Sequence, residues 1–531
     1  MAHINQKLET HHRIHNLISH KKAIPGKHRG HRALIALQHH LHAHEHYNIE
    51  EIQPSNSYSN ILGGSIVRHV QHFKPGQLSG CLKNITLRLT IKCLTSSIEL
   101  INPFLWIDHI DFNILGKEKI QTIYGEQLLY YFLMLSDEER EALSRLIGIQ
   151  PSGWISKNGA ELATNEEKTY YIPLFGAFYQ ATNLFDLNLQ ELNNSLEMVV
   201  YWRATPIVAG TGTISIQNLT FMIHSLDEHE KQKLIKKDIM QSHGLVQWNY
   251  LDTIRITEEL TVSSISGSIT LNMQETDNKK LAFLTLLITS GDFTTNSQTI
   301  LRFRALGNSL VDYRTSSGDS IISSGQGIRA DYLKNYVWPE MFNTELPKGC
   351  FIYCIPLSDN IRNAINGQMN DGYYHQEHSN YQLNITFGTA ATGQVHTITL
   401  ANTNTTGYYK LEYDGRSSKY MAYNETAANI KTEIDDELFK WKYGSPSTTL
   451  SGPLSSTATV TISDNAELGN EKPIYMIPHQ MDDGTTVEHP DSDITTKEII
   501  GPVTGTYDIW VYAHYFRRFH FSLKNWSVED L

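Results

Sequence analysis

The sequence has few cysteines and no long apolar run. Its 531 residues include four cysteines, Cys81, Cys93, Cys350 and Cys354, and no pair has the Cys-x-x-Cys spacing of thiolate metal sites and redox motifs. We therefore expect buried thiols in a protein made in a reducing cytoplasm. No stretch of about 18 apolar residues is present, so we expect no membrane-spanning helix. The first residues also lack the apolar core of a signal peptide.

Motifs of the common catalytic sites are also absent. The chain has no Gly-x-x-x-x-Gly-Lys-Ser/Thr phosphate loop, no Gly-x-Ser-x-Gly elbow and no His-Glu-x-x-His zinc helix. Adjacent carboxylates at Asp435-Asp436 and Asp482-Asp483 lie in polar stretches typical of solvated turns. The formal net charge of −12 argues against a surface that tracks nucleic-acid phosphates. We predict no catalytic, cofactor-binding or metal-binding residue. A glycosidase stays open, because its two carboxylates are distant in sequence.

β-Strand patterns dominate what is present. Charged residues make up 19% of the chain, below the roughly 25% of typical globular proteins, and 27 Tyr and 18 Phe favour strands. In Ile85–Cys93 apolar residues alternate with Thr, Arg and Lys, which predicts a half-buried strand with one wet face. Strands are also predicted for Ser65–Phe73, Phe104–Leu115 and Leu260–Met273. Short strands separated by Gly, Pro and Asn turns predict a sandwich or jelly roll rather than a parallel sheet.

One helical excursion interrupts these strands. The aromatic-rich segment Gly125–Leu135 is followed by Ser136-Asp137-Glu138-Glu139, whose Ser-x-x-Glu spacing is a capping box. An amphipathic run then reaches Ile147, and Gly148 is placed to end it. We expect two consecutive helices here.

The first 47 residues differ from the rest in histidine content and charge. Twelve of the 25 His lie there, and seven Lys and Arg against two Glu give a charge of 7 − 2 = +5. Leucines at helical spacing predict a short amphipathic helix between His31 and Tyr47. His42, His44 and His46 lack a second ligand set, so we assign no metal to them. We expect a partly disordered arm that orders on assembly. Its contact is expected to be sensitive to acid, because the histidines gain positive charge as pH falls.

The two halves of the chain close on strand-like segments of the same order and type. The first set is Ile172–Phe178, Leu187–Ala204 and Ser215–Leu234, and the second is Gly349–Ser358, Asn380–Phe387 and Tyr507–Leu523. With Tyr124-Gly125-Glu126 before the helices and Val511-Tyr512-Ala513 in the last strand, these segments resemble the double jelly-roll major capsid proteins of tailless icosahedral double-stranded DNA viruses and membrane-containing phages, the adenovirus-like lineage. The chain departs from that family at Gly176, at Lys231 and at Arg517, which implies distant kinship.

The resemblance implies an all-β fold of two consecutive jelly-roll β-sandwiches, with a short helical insertion and an inserted small β domain. The implied organisation is a basic His-rich arm at 1–57, a first jelly roll at 58–245, a second at 246–387 and 505–531, and an inserted β-rich tower at 388–504. It also implies a structural protein and not an enzyme: a major capsid protein whose pseudo-hexagonal homotrimers tile an icosahedral shell. The expected location is the virion, after synthesis in the host cytoplasm.

The implied partners are other copies of the chain in the trimer and lattice, penton proteins and minor capsid proteins. For the basic arm, an internal lipid membrane is a further candidate partner. In the inserted segment, Tyr408–Ile434 and Ala458–Ser463 resemble an Ig-like decoration module, with a short helix opening at Ala427. Insertions at a sandwich end carry function at little cost to the core, so a host receptor or a glycan is the candidate partner of this segment.

Two other function classes stay open. A lectin-like β-sandwich protein, or a receptor-binding virion protein, would bind its ligand without building a shell. A carbohydrate-active enzyme would require a carboxylate pair in a cleft. Trimer formation with little affinity for sugar separates the capsid hypothesis from both.

Overall fold

The described part of this computed structural model begins at His46. It comprises residues 46–54, 68–73, 81–100, 102–114, 119–148, 160–181, 187–188, 196–203, 207–209, 212–227, 245–262, 267–289, 310–314, 327–346, 352–365, 373–374, 381–387, 389–400, 408–413, 416–422, 425–439, 447–450, 457–463, 474–479, 492–502, 505–522 and 526–531. We call 46–227 the first half, 245–387 with 505–531 the second half, and 389–502 the insert. The predicted arm helix lies outside the described residues, except for His46 and Tyr47, which are in a strand.

The first half is built from strands with one helical insertion. Its strands are β1 (His46–Ile52), β2 (Arg68–Phe73), β3 (Cys81–Cys93), β4 (Ile98–Leu100), β5 (Ile107–Ile114), β6 (Lys119–Tyr124), β7 (Ala160–Leu162), β8 (Glu167–Pro173), β9 (Leu187–Asn188), β10 (Leu196–Trp202), β11 (Ile207–Ala209) and β12 (Ile214–Asp227). Helices α1 (Gly125–Leu133) and α2 (Asp137–Ile147) follow β6. The two larger sheets have the orders β1-β12-β3-β8, with β9 beside β3, and β2-β10-β5-β6, and a small sheet has the order β11-β4-β7.

The second half repeats the two-sheet arrangement. Its strands are β13 (Leu245–Val262), β14 (Gly267–Asn272), β15 (Lys280–Thr289), β16 (Leu310–Arg314), β17 (Ile328–Arg329), β18 (Tyr353–Pro356), β19 (Tyr373–Tyr374), β20 (Gln382–Phe387), β29 (Gly505–Ser522) and β30 (Trp526–Asp530). One sheet has the order β13-β29-β15-β18, with β19 on β15 and β30 on β29, and the other has the order β14-β20-β16-β17. Its helices are α3 (Ala330–Tyr332), a π-helical turn (Leu333–Val337), α4 (Trp338–Phe342) and α5 (Ile361–Ile365).

The insert forms two further sheets. Its elements are β21 (Thr389–Leu400), β22 (Tyr408–Tyr413), β23 (Arg416–Ser417), β24 (Met421–Ala422), α6 (Ala427–Glu433), a π-helical segment (Ile434–Phe439), β25 (Ser447–Leu450), β26 (Thr457–Ser463), β27 (Tyr475–His479) and β28 (Ser492–Pro502). The sheets have the orders β25-β26-β21-β28 and β23-β22-β24, with β27 on β22. The predicted short helix is confirmed at α6, where the Thr426 side chain accepts from the amide of Asn429.

The all-β prediction, with two consecutive sandwiches, a helical insertion and an inserted β segment, is confirmed. The strand pairings between described residues are antiparallel, as in β3 with β12 and β13 with β29. In β3 the apolar side chains at Ile85 and Leu87 are fully buried, and the alternate face is only partly wet because Thr90 bonds Thr169 on the neighbouring strand. No helix in the described ranges is long and apolar enough to cross a membrane.

Three details of the sequence analysis are wrong. The arm was predicted to extend to residue 57, but His46–Ile52 pairs residue by residue with β12, whose edge needs a partner. The strand predicted from Phe104 begins instead at Ile107, because Pro103 starts a 3-10 turn that Asn102 caps. The pair Asp435-Asp436 lies in a helical segment rather than a turn. The pair Asp482-Asp483 lies outside the described residues.

The helical insertion is confirmed in detail. The Ser136 side chain accepts from the amide of Glu139 and the Glu139 carboxylate accepts from the amide of Ser136, which completes the predicted capping box. Gly148 has φ of 82° and ends α2 in the left-handed conformation that favours glycine. Local sequence therefore fixes both ends of α2.

Candidate functional site

The edges of two sheets meet where β6 of the first half approaches β13 of the second. Each strand ends the order of its own sheet, so within the described sheets each has one side without a strand partner. Bare edges of this kind invite association with other chains. Here side chains join them, and we call Gln121, Thr122, Tyr250, Asp252 and Arg517 the seam.

Side chains of the second half satisfy the backbone of β6. The Tyr250 hydroxyl donates to the carbonyl of Ile120 over 2.6 Å, and the Arg517 guanidinium donates to the same carbonyl over 2.6 Å. The amide of Thr122 donates to Oδ1 of Asp252 over 2.9 Å. A buried backbone group left without a partner costs about 1–3 kcal/mol. These side-chain contacts therefore replace hydrogen bonds that a neighbouring strand would otherwise supply to β6.

The fully buried Gln121 ties three segments together. Its Nε2 donates to the carbonyls of Gly176 and Leu251, each over 2.8 Å, and its Oε1 accepts from the amide of Phe178 over 2.8 Å. The first and last of these partners lie in the loop after β8, and Leu251 lies in β13. One amide thus fixes the loop of the first half and the edge strand of the second.

The carboxylate of Asp252 is the buried acid of the seam. Besides Thr122, it accepts from the amide of Thr253 over 2.9 Å, from the Tyr515 hydroxyl over 3.0 Å and from Arg517 over 3.1 Å. All four partners donate a hydrogen bond, and an ionised carboxylate can only accept, so the partners match its charged form. Burial raises the pKa of Asp252, and Arg517, the two amides and the hydroxyl oppose that rise.

The last strand holds Arg517 from its other side. Nε of Arg517 donates to Oδ1 of Asp530 over 2.6 Å, and Nζ of Lys279 donates to Oδ2 over 2.8 Å. Burial alone would raise the pKa of Asp530, but Lys279 and Arg517 hold it below its usual value. The result is an alternating series of charges, Lys279, Asp530, Arg517 and Asp252, that runs from the residue before β15 through the end of β30 into the seam.

The Tyr-Gly-Glu motif has a steric and an ionic role at the start of α1. A Cβ at Gly125 would lie 2.0 Å from the carbonyl oxygen of Ile107 and 2.6 Å from that of Phe104, so only glycine fits. The next residue, Glu126, is buried and forms an ion pair with buried Arg203 at the end of β10. The motif therefore fixes where α1 leaves the sheet.

A second ionic contact joins the halves beside this motif. The guanidinium of Arg255, in β13, lies 3.1 Å from Oδ1 of Asp108 in β5 and 4.6 Å from the ring centroid of Tyr124. Arg203 lies 3.7 Å from the same Asp108 oxygen. Burial alone would raise the pKa of Asp108, but the His109 hydrogen bond and the two arginines hold it well below its usual value.

Apolar side chains also join the two halves. Buried side chains of both halves form one contiguous cluster, in which Phe178 of the first half packs on Phe519 of the second with ring centroids 5.5 Å apart. The indole of Trp248, in β13, also donates to the carbonyl of Phe178 over 3.0 Å. The halves are thus joined by a shared core as well as by the seam.

We expect the Gln121→Leu substitution to lower the free energy of unfolding by about 2–5 kcal/mol. The substitution removes the hydrogen-bond partner of two carbonyls and one amide, and each buried polar group without a partner destabilises the folded state. Urea denaturation followed by fluorescence measures the effect. The matched control is Gln217→Leu, at an exposed position of β12, where we expect a change within about 0.5 kcal/mol. Equal stabilities for the two variants would contradict the role of Gln121.

We expect Gly125→Ala to destabilise the protein by about 3 kcal/mol or more, because the new methyl group meets backbone oxygens that cannot move aside. Thermal and urea unfolding measure the loss. Glu138→Ala, at an exposed position of α2, is the control and should change stability little. A Gly125→Ala protein as stable as this control would show that the close approach to β5 is not required.

Comparison with solved structures identifies the fold. The chain is similar to the crystal structure of PBCV-1 VP54 fitted into a cryo-EM reconstruction of the virophage Sputnik, with a TM-score of 0.52 and 10% identity, over 91% of this chain and 97% of that one. It is similar to the quasi-atomic model of the PBCV-1 virus capsid, with a TM-score of 0.50 and 10% identity, over 91% and 97%. The chain has the double jelly-roll fold. The sequence resemblance is thereby confirmed at the level of fold. No family model and no curated protein matches the sequence.

The structure also locates the chemistry that the sequence singled out. Cys93 and Cys354 are free, buried thiols, as predicted, whereas Cys350 lies outside the described residues. Within the described ranges, no three His, Cys, Asp or Glu side chains come together as metal ligands do. The seam residues were not identified from the sequence. The available signal was that Asp252 and Arg517 alternate in phase with apolar residues of strand-like segments, so that each charge falls on the buried face and needs a partner.

Proposed function

We propose that this protein is a major capsid protein whose pseudo-hexagonal homotrimers tile an icosahedral virus shell. The observation that carries the proposal is the pair of jelly rolls locked edge to edge within one chain. Three such chains supply six rolls, so a ring with threefold symmetry acquires a six-sided outline. The fold likeness to a virus capsid protein spans 91% of the chain, which supports the same use of the whole molecule.

The seam and the shared core support this role physically. A subunit that tiles a lattice has to present its contact surfaces at a fixed relative geometry, and movement between the two rolls would spoil it. Buried hydrogen bonds of Gln121 and Asp252, together with the Arg255–Asp108 ion pair, oppose such movement. The proposed role contains no catalytic step.

We expect the purified protein in solution to have a mass of about three times 60.4 kDa. Light scattering after gel filtration gives the mass, and negative-stain images of the same fraction should show a six-sided outline. Trimers form because closed cyclic contacts bury surface on each protomer. A monomer or dimer over the concentration range tested would contradict the proposal, and binding to a glycan array would then favour the lectin-like alternative.

The insert is proposed to project outward and to contact a host receptor or a glycan. Its buried residues, among them Leu411, Tyr413, Ile430 and Ile434, lie outside the cluster shared by the two halves. The strands β21 and β28, which lead in and out of the insert, pair along their length, so Thr389 lies opposite Pro502. A separate core on a two-stranded root supports an independent unit.

We expect replacement of residues 389–502 by a short Gly-Ser linker to leave the trimer and its unfolding midpoint nearly unchanged. Paired residues at the root are about 5 Å apart, so a few residues close the gap. Light scattering and thermal unfolding check both expectations. A linker inserted after residue 121, within β6, serves as the disruptive control. Loss of the trimer on deletion would show that the insert holds the subunits together.

The remaining partners belong to the same proposal. Penton proteins, minor capsid proteins and the lattice itself are the contacts expected of a shell subunit, with a virion location after synthesis in the host cytoplasm. For the basic arm at residues 1–45, which lies outside the described residues, an anionic membrane leaflet is the proposed contact because of its charge.

A further inference from the structure

His514 occupies the junction between α1 of the first half and a sheet of the second. It is fully buried in β29, opposite Thr253 of β13 and Phe283 of β15. Its Nε2 lies 2.7 Å from the Tyr130 hydroxyl, and its Nδ1 lies 3.0 Å from the Thr253 hydroxyl and 3.5 Å from the Tyr131 hydroxyl. The ring also stacks on Phe283 with centroids 4.0 Å apart. Both tyrosines belong to α1, so this contact ties the helix to the sheet.

The partners of His514 suit a neutral ring. Hydroxyl groups can donate to one ring nitrogen and accept from the other, as the neutral imidazole requires. In the described structure, Tyr130 and Tyr131 from α1 lie against the ring, and Tyr512 from β29 and Cys354 from β18 lie near Tyr130; burial raises the pKa of each of these groups. They remain uncharged at neutral and acid pH. Among the described residues, the hydrogen-bond partners of the ring include no carboxylate that would pair with an imidazolium.

Two charged groups of the neighbouring strand β13, Asp252 and Arg255, have other partners. Asp252, adjacent to Thr253, accepts from Thr122, Tyr515 and Arg517 in the seam. Arg255, two residues further along β13, pairs with Asp108. A proton added to His514 in the closed structure would therefore create a buried charge without a counter-ion, which is strongly unfavourable.

We propose that His514 is an acid-sensitive latch, which holds α1 against the second-half sheet at neutral pH and releases it when protonated. Release breaks the hydrogen bond between the ring and the Tyr130 hydroxyl and gives the imidazolium access to water. This inference concerns the two halves of one chain and does not depend on the capsid role.

The sign of the pH effect follows from linkage. Burial lowers the pKa of His514 from 6.5 to about 3 in the closed structure, whereas an exposed ring in the open form titrates near 6.5. Between these values the open form binds a proton and the closed form does not, so opening becomes easier as pH falls. The equilibrium constant for opening should rise about tenfold from pH 7.5 to 5.5 and about tenfold again by pH 4.5.

Amide hydrogen exchange of the full-length protein tests the latch. We expect protection of peptides covering α1 and β29, corrected for the intrinsic pH dependence of exchange, to fall about tenfold between pH 7.5 and 5.5. Peptides covering β3, in the interior of the first half, are the internal reference and should keep their protection. Unchanged protection of α1 across this range would overturn the proposal.

Substitutions then assign the effect to His514. His514→Gln keeps a donor and an acceptor but does not titrate, so α1 protection should lose its pH dependence. His520→Gln, at a partly exposed histidine of the same strand that contacts Glu529, should retain the wild-type profile. If His514→Gln does not fold, His514→Phe keeps the stacking on Phe283 and gives the same readout. A pH dependence that survives in either variant would overturn the assignment.

Discussion

The requirement that two sheet edges find hydrogen-bond partners away from water organises this molecule. β6 and β13 end their respective sheets, yet the two strands do not form a ladder with each other. Side chains provide the missing bonds, with Asp252 accepting from β6 and Tyr250 donating to it. Side-chain contacts do not impose a strand register. The sheets that end in β6 and β13 therefore remain separate, although each covers the open edge of the other. An edge that would otherwise pair with strands of other chains becomes the internal joint between the two halves of this chain.

The position of this joint depends on the helical insertion of the first half. Gly125 lets the chain turn against the backbone of β5, and the turn directs α1 onto the sheet of the second half. From there Tyr130 reaches His514, while Glu126, one residue after the turn, pairs with Arg203. A steric requirement at a single glycine thus sets the location of an ion pair and of an interhalf hydrogen bond. The insertion is a structural tie between the rolls.

Sequence patterns predicted the elements whose causes are local. The capping box at Ser136 and the left-handed glycine at Gly148 depend on residues a few positions apart, and both were found as predicted. The seam was beyond such reasoning, because the hydrogen-bond partners of Gln121 and Asp252 lie about 130 positions away in the sequence. The strand at His46–Ile52 was missed for a related reason. Its pairing with β12 is decided by that distant strand and not by its own His-rich surroundings.

The joint contains two kinds of titratable contact, and they respond to acid in a definite order. Asp108 and Asp530 have lowered pKa values, so their contribution to stability is present above pH 4 and is lost as pH falls through their folded values. His514 acts earlier, because its contribution begins to decline near pH 6.5, where the exposed ring takes up a proton. Mild acid therefore weakens the contact of α1 while the carboxylates of Asp108 and Asp530 are still charged. The chain can loosen at the contact of α1 before the ion pairs of Asp108 and Asp530 are lost.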